Sequence, residues 1–183
     1  MRIVGGELSG RRLRAPRGSS TRPTADRVRE AIFNILGAPG LGARALDLYA
    51  GSGALGLEAL SRGCTHAVLV ERAEAALRVL RANIAALGLA ARARVVAGDV
   101  VRATLGLARA GERFTWIFLD PPYAAGVMER ALDAVGKVCA PDATVVAEHD
   151  TRHLPAPAVG PLRERDRRRY GDTCISFYGL EAA

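Results

Sequence analysis

The sequence is poor in the residues that build disulfide frameworks and thiolate metal sites. Its 3 cysteines, Cys64, Cys139 and Cys174, are scattered and never form a C-x-x-C pair. An odd, dispersed set argues against a disulfide scaffold or a zinc site and fits a reducing compartment. Each cysteine therefore reads as a small apolar packing residue. Histidine is equally scarce, at 3. His149 and His153 have i, i+4 spacing beside Glu148, yet they fall where a strand runs into a Pro-rich loop. Both are expected as exposed loop histidines, and no metal is expected. No apolar run approaches the ~20 residues of a membrane helix, and the basic start lacks the apolar stretch of a secretory signal. Repeats and low-complexity tracts are missing as well. A cytoplasmic protein without a membrane partner is the resulting expectation.

Lysine is almost absent too. Apart from Lys137, every basic residue is arginine, and the net charge is +7. Eight arginines against three acids in residues 1–30 account for most of that surplus. Such clustering is the footprint of a surface for a polyanion. With 183 residues, 49% of them apolar, the chain is long enough for one packed domain with a small appendage.

The pattern predicts a hairpin from 2–4 and 12–14, a Gly/Ser/Thr/Pro loop over 16–23, and a helix from Thr24 or Ala25 with Thr24 as its N-cap. Val28, Ala31, Ile32, Ile35 and Leu36 form its core stripe, with Arg27, Arg29, Glu30 and Asn34 off it. Strands at 44–49, 66–71, 94–97, 114–119 and 144–148 then alternate with helices at 54–62, 73–87, 101–110 and near 127–138. A hairpin of 165–170 and 174–178, turned by Gly171-Asp172, follows. The reading is a doubly wound, Rossmann-like α/β sheet with a C-terminal antiparallel hairpin. Residues 1–24 form a basic N-terminal extension and 25–183 the main domain.

Gly51-Ser52-Gly53-Ala54-Leu55-Gly56 is a G-x-G-x-x-G turn between a strand and a helix, where free helix N–H groups and close backbone approach suit a nucleotide ligand. Glu71, ending the next strand, can accept from ribose hydroxyls. These features fit NAD and S-adenosylmethionine equally. Asp47 tips the balance, since an acid before the turn would repel a pyrophosphate but suit a cationic ligand. Asp99 can accept from an adenine amine.

Asp120-Pro121-Pro122-Tyr123 closes the 114–119 strand. A ring-conjugated amine is a poor nucleophile because its lone pair is delocalised. Hydrogen bonds from its two N–H groups to the Asp120 carboxylate and the Pro121 carbonyl would pyramidalise it and aim the lone pair. Two prolines stiffen that backbone, and Tyr123 offers a face for a flipped base. Methylation at a pyrimidine carbon would need a thiolate that adds to the ring, and no cysteine stands at this strand end.

These residues resemble class I S-adenosylmethionine-dependent methyltransferases. More narrowly, the chain resembles the bacterial RsmD family along almost its whole length. The resemblance opens with Arg2-Ile3-Val4-Gly5-Gly6, and its narrower signals are Arg22-Pro23-Thr24 with residues 26–34 and Tyr170-Gly171-Asp172-Thr173. The resemblance implies methylation of a guanine N2 amine in the small-subunit (16S) ribosomal RNA of an assembly intermediate, by a monomer. It implies that Asp47, Tyr49, Ala50, Gly51, Ser52, Gly53, Glu71, Arg72, Asp99 and Val100 hold the cofactor, S-adenosylmethionine. Asp120, Pro121, Pro122 and Tyr123 would hold the amine, and Arg2, Arg11, Arg12, Arg14, Arg22 and Arg27 the RNA. A DNA base methyltransferase, an NAD-binding oxidoreductase and a catalytically idle RNA-binding module are the competing readings.

Overall fold

Short apolar runs bounded by glycine turns set up the sheet, as seen in a computed structural model that describes residues 1–15, 23–122 and 126–181. Strands β1 (Arg44–Leu48), β2 (His66–Glu71), β3 (Ala93–Ala97), β4 (Phe114–Leu119) and β5 (Cys139–Asp150) run parallel. Strands β6 (Ala158–Val159), β7 (Leu162–Tyr170) and β8 (Thr173–Leu180) complete the sheet in antiparallel fashion, giving the order β3-β2-β1-β4-β5-β8-β7-β6. The strand order reverses between β1 and β4, which opens a crevice at their carboxyl ends.

Helices cover both faces, so the central strands are mostly apolar, with buried Asp47 the exception on β1. Helices α1 (Pro23–Leu36), α2 (Ala54–Ser61) and α3 (Glu74–Leu87) lie on one face, where Phe33, Leu57 and Leu80 share a core with Trp116, Phe118 and Val146. Helices α4 (Val100–Arg109) and α5 (Val127–Val135) cover the other through Leu107, Met128 and Leu132, packed on Leu46, Leu48 and Leu119. Side chains alternate between the two cores along each strand.

The N-terminal segment folds onto the first face. Its expected hairpin reduces to a single antiparallel bridge, Arg2 with Arg12, because glycines and a tight turn fill the space between. Ile3 and Leu13 nevertheless enter the α1–α3 core. Fully buried Glu58 on α2 accepts the N–H groups of Val4 and Gly5 at 2.8 and 2.7 Å.

Several expectations need correction. Helix α1 begins at Pro23, so Thr24 lies inside the first turn and is not the N-cap; proline lacks the N–H that this position leaves unused. The buried stripe of α1 runs through Val28, Ile32 and Phe33, and Ile35 is 44% exposed. Phe33 takes the core position because it meets Trp116 and Phe118, with ring centroids 5.7 and 5.5 Å away. Arg29 is buried, held by Asp26 at 2.9 Å and Glu58 at 3.6 Å. Strand β5 begins five residues earlier than expected, pairing Cys139 with Phe114, and the two-residue β6 was not anticipated. His149 is a buried strand residue whose Nε2 meets the Ser176 hydroxyl at 2.8 Å; His153, the other of this pair, is exposed. All three cysteines are buried.

Candidate active site

The turn after β1 is built by backbone that few residues can adopt. Tyr49 has φ 64°, and Gly51 and Gly53 have φ 55° and 83°. A bulky residue in the left-handed region costs on the order of 1–3 kcal/mol and marks an over-determined site. Gly53 is also required sterically, since a Cβ there would lie 2.4 Å from Leu80. At Gly56 a Cβ would lie 2.9 Å from Leu69 and 3.0 Å from the Asp47 Cβ. Without one, α2 seats directly on the strands and the Gly56 N–H donates to Asp47 Oδ2 at 2.8 Å.

Asp47 is almost fully buried and makes no ion pair among the described residues. Burial pushes its carboxyl up to about 7; the Gly56 N–H opposes this, while the charges of Asp120 and Glu71 reinforce it. Glu71 Oε2 accepts the Gly51 N–H at 2.9 Å, and Oε1 accepts the N–H groups of Arg72 and Ala73, both at 2.7 Å. Glu71 thus ties the glycine turn to the start of α3, and its remaining lone pairs can still accept from a ligand. Asp99 caps α4 by accepting the Arg102 N–H at 2.9 Å, with buried Val100 as the first helical residue. The Ala50 carbonyl accepts the Gly53 N–H, which closes the turn. Ser52 is buried and Arg72 is exposed. These residues gather at the carboxyl ends of β1, β2 and β3.

At the end of β4, Asp120 is exposed and Pro121 is buried. Desolvation raises the Asp120 carboxyl to about 6. Tyr123 and Arg22 lie outside the described residues. Arg2, Arg11, Arg12, Arg14 and Arg27 are all exposed. Arg11 donates to the Ala86 carbonyl at 2.9 Å. Arg2 and Arg27 line a cavity of about 480 Å³ together with Asp26 and Glu30.

Three residues were missed by sequence reasoning. Asn83, buried on α3, accepts the Arg14 N–H and donates to the carbonyls of Arg14 and Ser52. Glu58 anchors the N-terminal segment. Glu148 stands on β5 beside Asp120, and burial followed by the Asp120 charge pushes it up to about 8. The available signal was a lone polar residue in an apolar setting: Glu58 within Leu57-Glu58-Ala59-Leu60, Asn83 within the stripe of Leu80, Ile84 and Leu87, and Glu148 ending an apolar strand.

Parallel sheets with a glycine turn after β1 serve many nucleotide enzymes. An antiparallel hairpin beyond β5 and an Asp-Pro-Pro end to β4 are more selective, and they define a class I methyltransferase. The family model described as "Conserved hypothetical protein 95" matches residues 1–179. The chain is 40% identical over 180 residues, 97% of its length and 98% of its relative's, to "Putative rRNA methyltransferase YlbH" of Bacillus subtilis. It is 43% identical over 133 residues to "Ribosomal RNA small subunit methyltransferase D" of Escherichia coli, a match covering 73% of this chain and 65% of that protein. The structure of "Putative methyltransferase yhhF" from Escherichia coli superposes with a TM-score of 0.84 at 32% identity, covering 100% of this chain and 99% of that one. The chain belongs to this family, the RsmD family of methyltransferases.

Proposed function

We propose that the protein transfers a methyl group from S-adenosylmethionine to the N2 amine of a guanine in small-subunit ribosomal RNA. The observation that carries this reading is the Asp120 carboxylate at the end of β4, beside the buried, uncompensated Asp47 at the end of β1. A buried carboxylate without a counter-charge suits a ligand that brings its own positive charge. The sulfonium donor supplies that charge and an already activated methyl group. SMU.776, titled "a putative methyltransferase complexed with SAH", has the same fold, with a TM-score of 0.67 at 14% identity over 84% of this chain and 48% of that one.

In this reading Asp47, Tyr49 and residues 50–53 hold the methionine end of the donor. Glu71 and Arg72 hold the ribose, and Asp99 with Val100 the adenine. Asp120 and the Pro121 carbonyl accept the two amine hydrogens, orient the lone pair and keep it from ring conjugation, while Pro122 stiffens the turn and Tyr123 stacks on the base. Orientation of this kind supplies much of the rate. Residues 1–24, with Arg2, Arg11, Arg12, Arg14, Arg22 and Arg27, grip the RNA of a partly assembled small subunit, and the enzyme acts as a cytoplasmic monomer. The relatives named as rRNA methyltransferases support RNA over DNA as the substrate. Among the described residues, no helix is long and apolar enough to cross a membrane.

The test is transfer of labelled methyl to undermethylated small subunits, with DNA supplied in parallel, followed by mapping of the labelled nucleotide. N2-methylguanine in 16S RNA is expected. Asp120→Ala should lose at least ~100-fold in transfer while still binding the donor; label in DNA, or full transfer by that variant, overturns the reading.

A further inference from the structure

Glu148 is the one carboxylate at the catalytic edge to which neither the donor nor the amine gives a task. Leu119 of β4 pairs with Ala147 of β5, so the next residues on the two parallel strands, Asp120 and Glu148, come level. Side-chain parity puts them on one face. Leu119 and Ala147 belong to the core under α4 and α5, whereas Phe118 and Val146 belong to the core under α1 to α3. Asp120 and Glu148, one step further along each strand, therefore point to the α1–α3 side. Asp47 shares that side, since it pairs with Phe118 and Leu69. Ile175, opposite Glu148 on β8, lies in the same core. Neither Asp120 nor Glu148 has an ion-pair or side-chain hydrogen-bond partner among the described residues. Glu148 is half-buried, and so still reachable from the site.

We propose that Glu148 reads the ring N1–H of the target guanine and so selects guanine over other amine-bearing bases. This rests on the guanine-N2 reading above and adds to it the group that recognises the base. Guanine presents three donors in a row, two on N2 and one on N1. Asp120 and the Pro121 carbonyl account for the first two, and the third needs an acceptor beside Asp120. Adenine and cytosine carry a lone pair on the ring nitrogen next to their amines, which an ionised carboxylate would repel. Burial and then the Asp120 charge raise the Glu148 carboxyl to about 8, so the selectivity belongs to the ionised form and is measured above that pH. A site built around a hydrogen bond rejects a base lacking it far more strongly than an apolar pocket rejects a misfit.

The experiment uses the full chain and small subunits reconstituted on RNA that carries guanine or 2-aminopurine at the mapped nucleotide. 2-Aminopurine keeps the N2 amine but has a bare lone pair at N1. The wild type should form N2-methylguanine and favour guanine by about 100-fold in kcat/KM. Glu148→Gln, whose amide can donate to that lone pair, should bring the ratio to about 1 or below, with donor binding retained and the melting temperature not lowered. Equal use of both bases by the wild type overturns the role of Glu148 and leaves the guanine-N2 reading intact. So does an unchanged ratio in Glu148→Gln, or an equal loss on both bases. Failure of the wild type to form N2-methylguanine at all is distinguishable, and it overturns the parent reading together with this one.

Discussion

Asn83 holds both backbone groups of Arg14: its Oδ1 accepts the Arg14 N–H at 2.9 Å, and its Nδ2 donates to the Arg14 carbonyl at 3.0 Å. The same Nδ2 donates to the Ser52 carbonyl at 2.9 Å. One buried amide therefore joins the arginine-bearing segment to the glycine turn. Asn83→Ala would leave three backbone groups without this partner, at about 1–3 kcal/mol where water cannot replace it. The expected outcome is a lower melting temperature and donor affinity weakened by about 10-fold. Titration calorimetry with S-adenosylhomocysteine checks the second point, and unchanged affinity would confine Asn83 to a structural role.

Glu58 supports the same segment from the other side. It is fully buried and meets Arg62 Nε at 2.9 Å and Arg29 Nε at 3.6 Å, besides the two N–H groups of Val4 and Gly5. Glu58→Ala leaves a buried guanidinium short of its partner, so a loss of about 3–5 kcal/mol is expected. Denaturant unfolding measures it, and a change below 1 kcal/mol would mean that the network is not cooperative.

The carboxylates of the site give the protein a pH signature. Asp47, Asp120 and Glu148 are raised to about 7, 6 and 8. The folded state thus binds more protons than the unfolded chain between pH 4 and 8, and stability falls as pH rises through that window. Asp47→Asn keeps an acceptor for the Gly56 N–H and removes the buried charge. It should melt several degrees higher than the wild type at pH 8, with little gain at pH 4, while binding the donor poorly. Melting curves across that range decide the point.

Activity should move in the opposite direction. On the proposed reading the amine needs Asp120 as a carboxylate, so kcat/KM is expected to rise with pH through about 6 and to continue rising toward 8 as the Asp120–Glu148 pair loses its second proton. Glu148→Gln should flatten the upper part of the profile. A rate independent of pH between 5.5 and 8 would remove Asp120 from the role of acceptor.

Arg11, Arg12 and Arg14 make no ion pair among the described residues and are exposed. Replacing all three with glutamine should weaken RNA binding and reduce the slope of log K against log salt by about 2. An unaltered slope would move the RNA surface elsewhere.

The sheet was legible because β1, β2 and β4 are short apolar runs between glycine turns, and such runs have few alternatives to burial. The site loops were legible for the same local reason: Gly51, Gly53 and the paired prolines state their backbone demands in place. What escaped is non-local. Glu58 acts on residues 53 and 54 positions away, and Asn83 on one 69 positions away; no window of sequence contains both partners. Arg29 looked like a surface charge because its partner Glu58 lies on another helix. Strand β5 was shortened in the reading because Pro141 and Asp142 interrupt its apolar pattern near the edge where pairing begins.

Strand β6 covers β7 only at Leu162 and Arg163. Glu164 still donates its N–H to the Pro157 carbonyl, and beyond it β7 has no further strand partner on that side among the described residues, an edge onto which a foreign strand could add. Along it stand Arg165, Arg167, Arg168 and Arg169 with Glu164 and Asp166. Pairing a second copy antiparallel along this stretch would bring arginines of the two chains opposite one another, a charge pattern that disfavours edge-to-edge association.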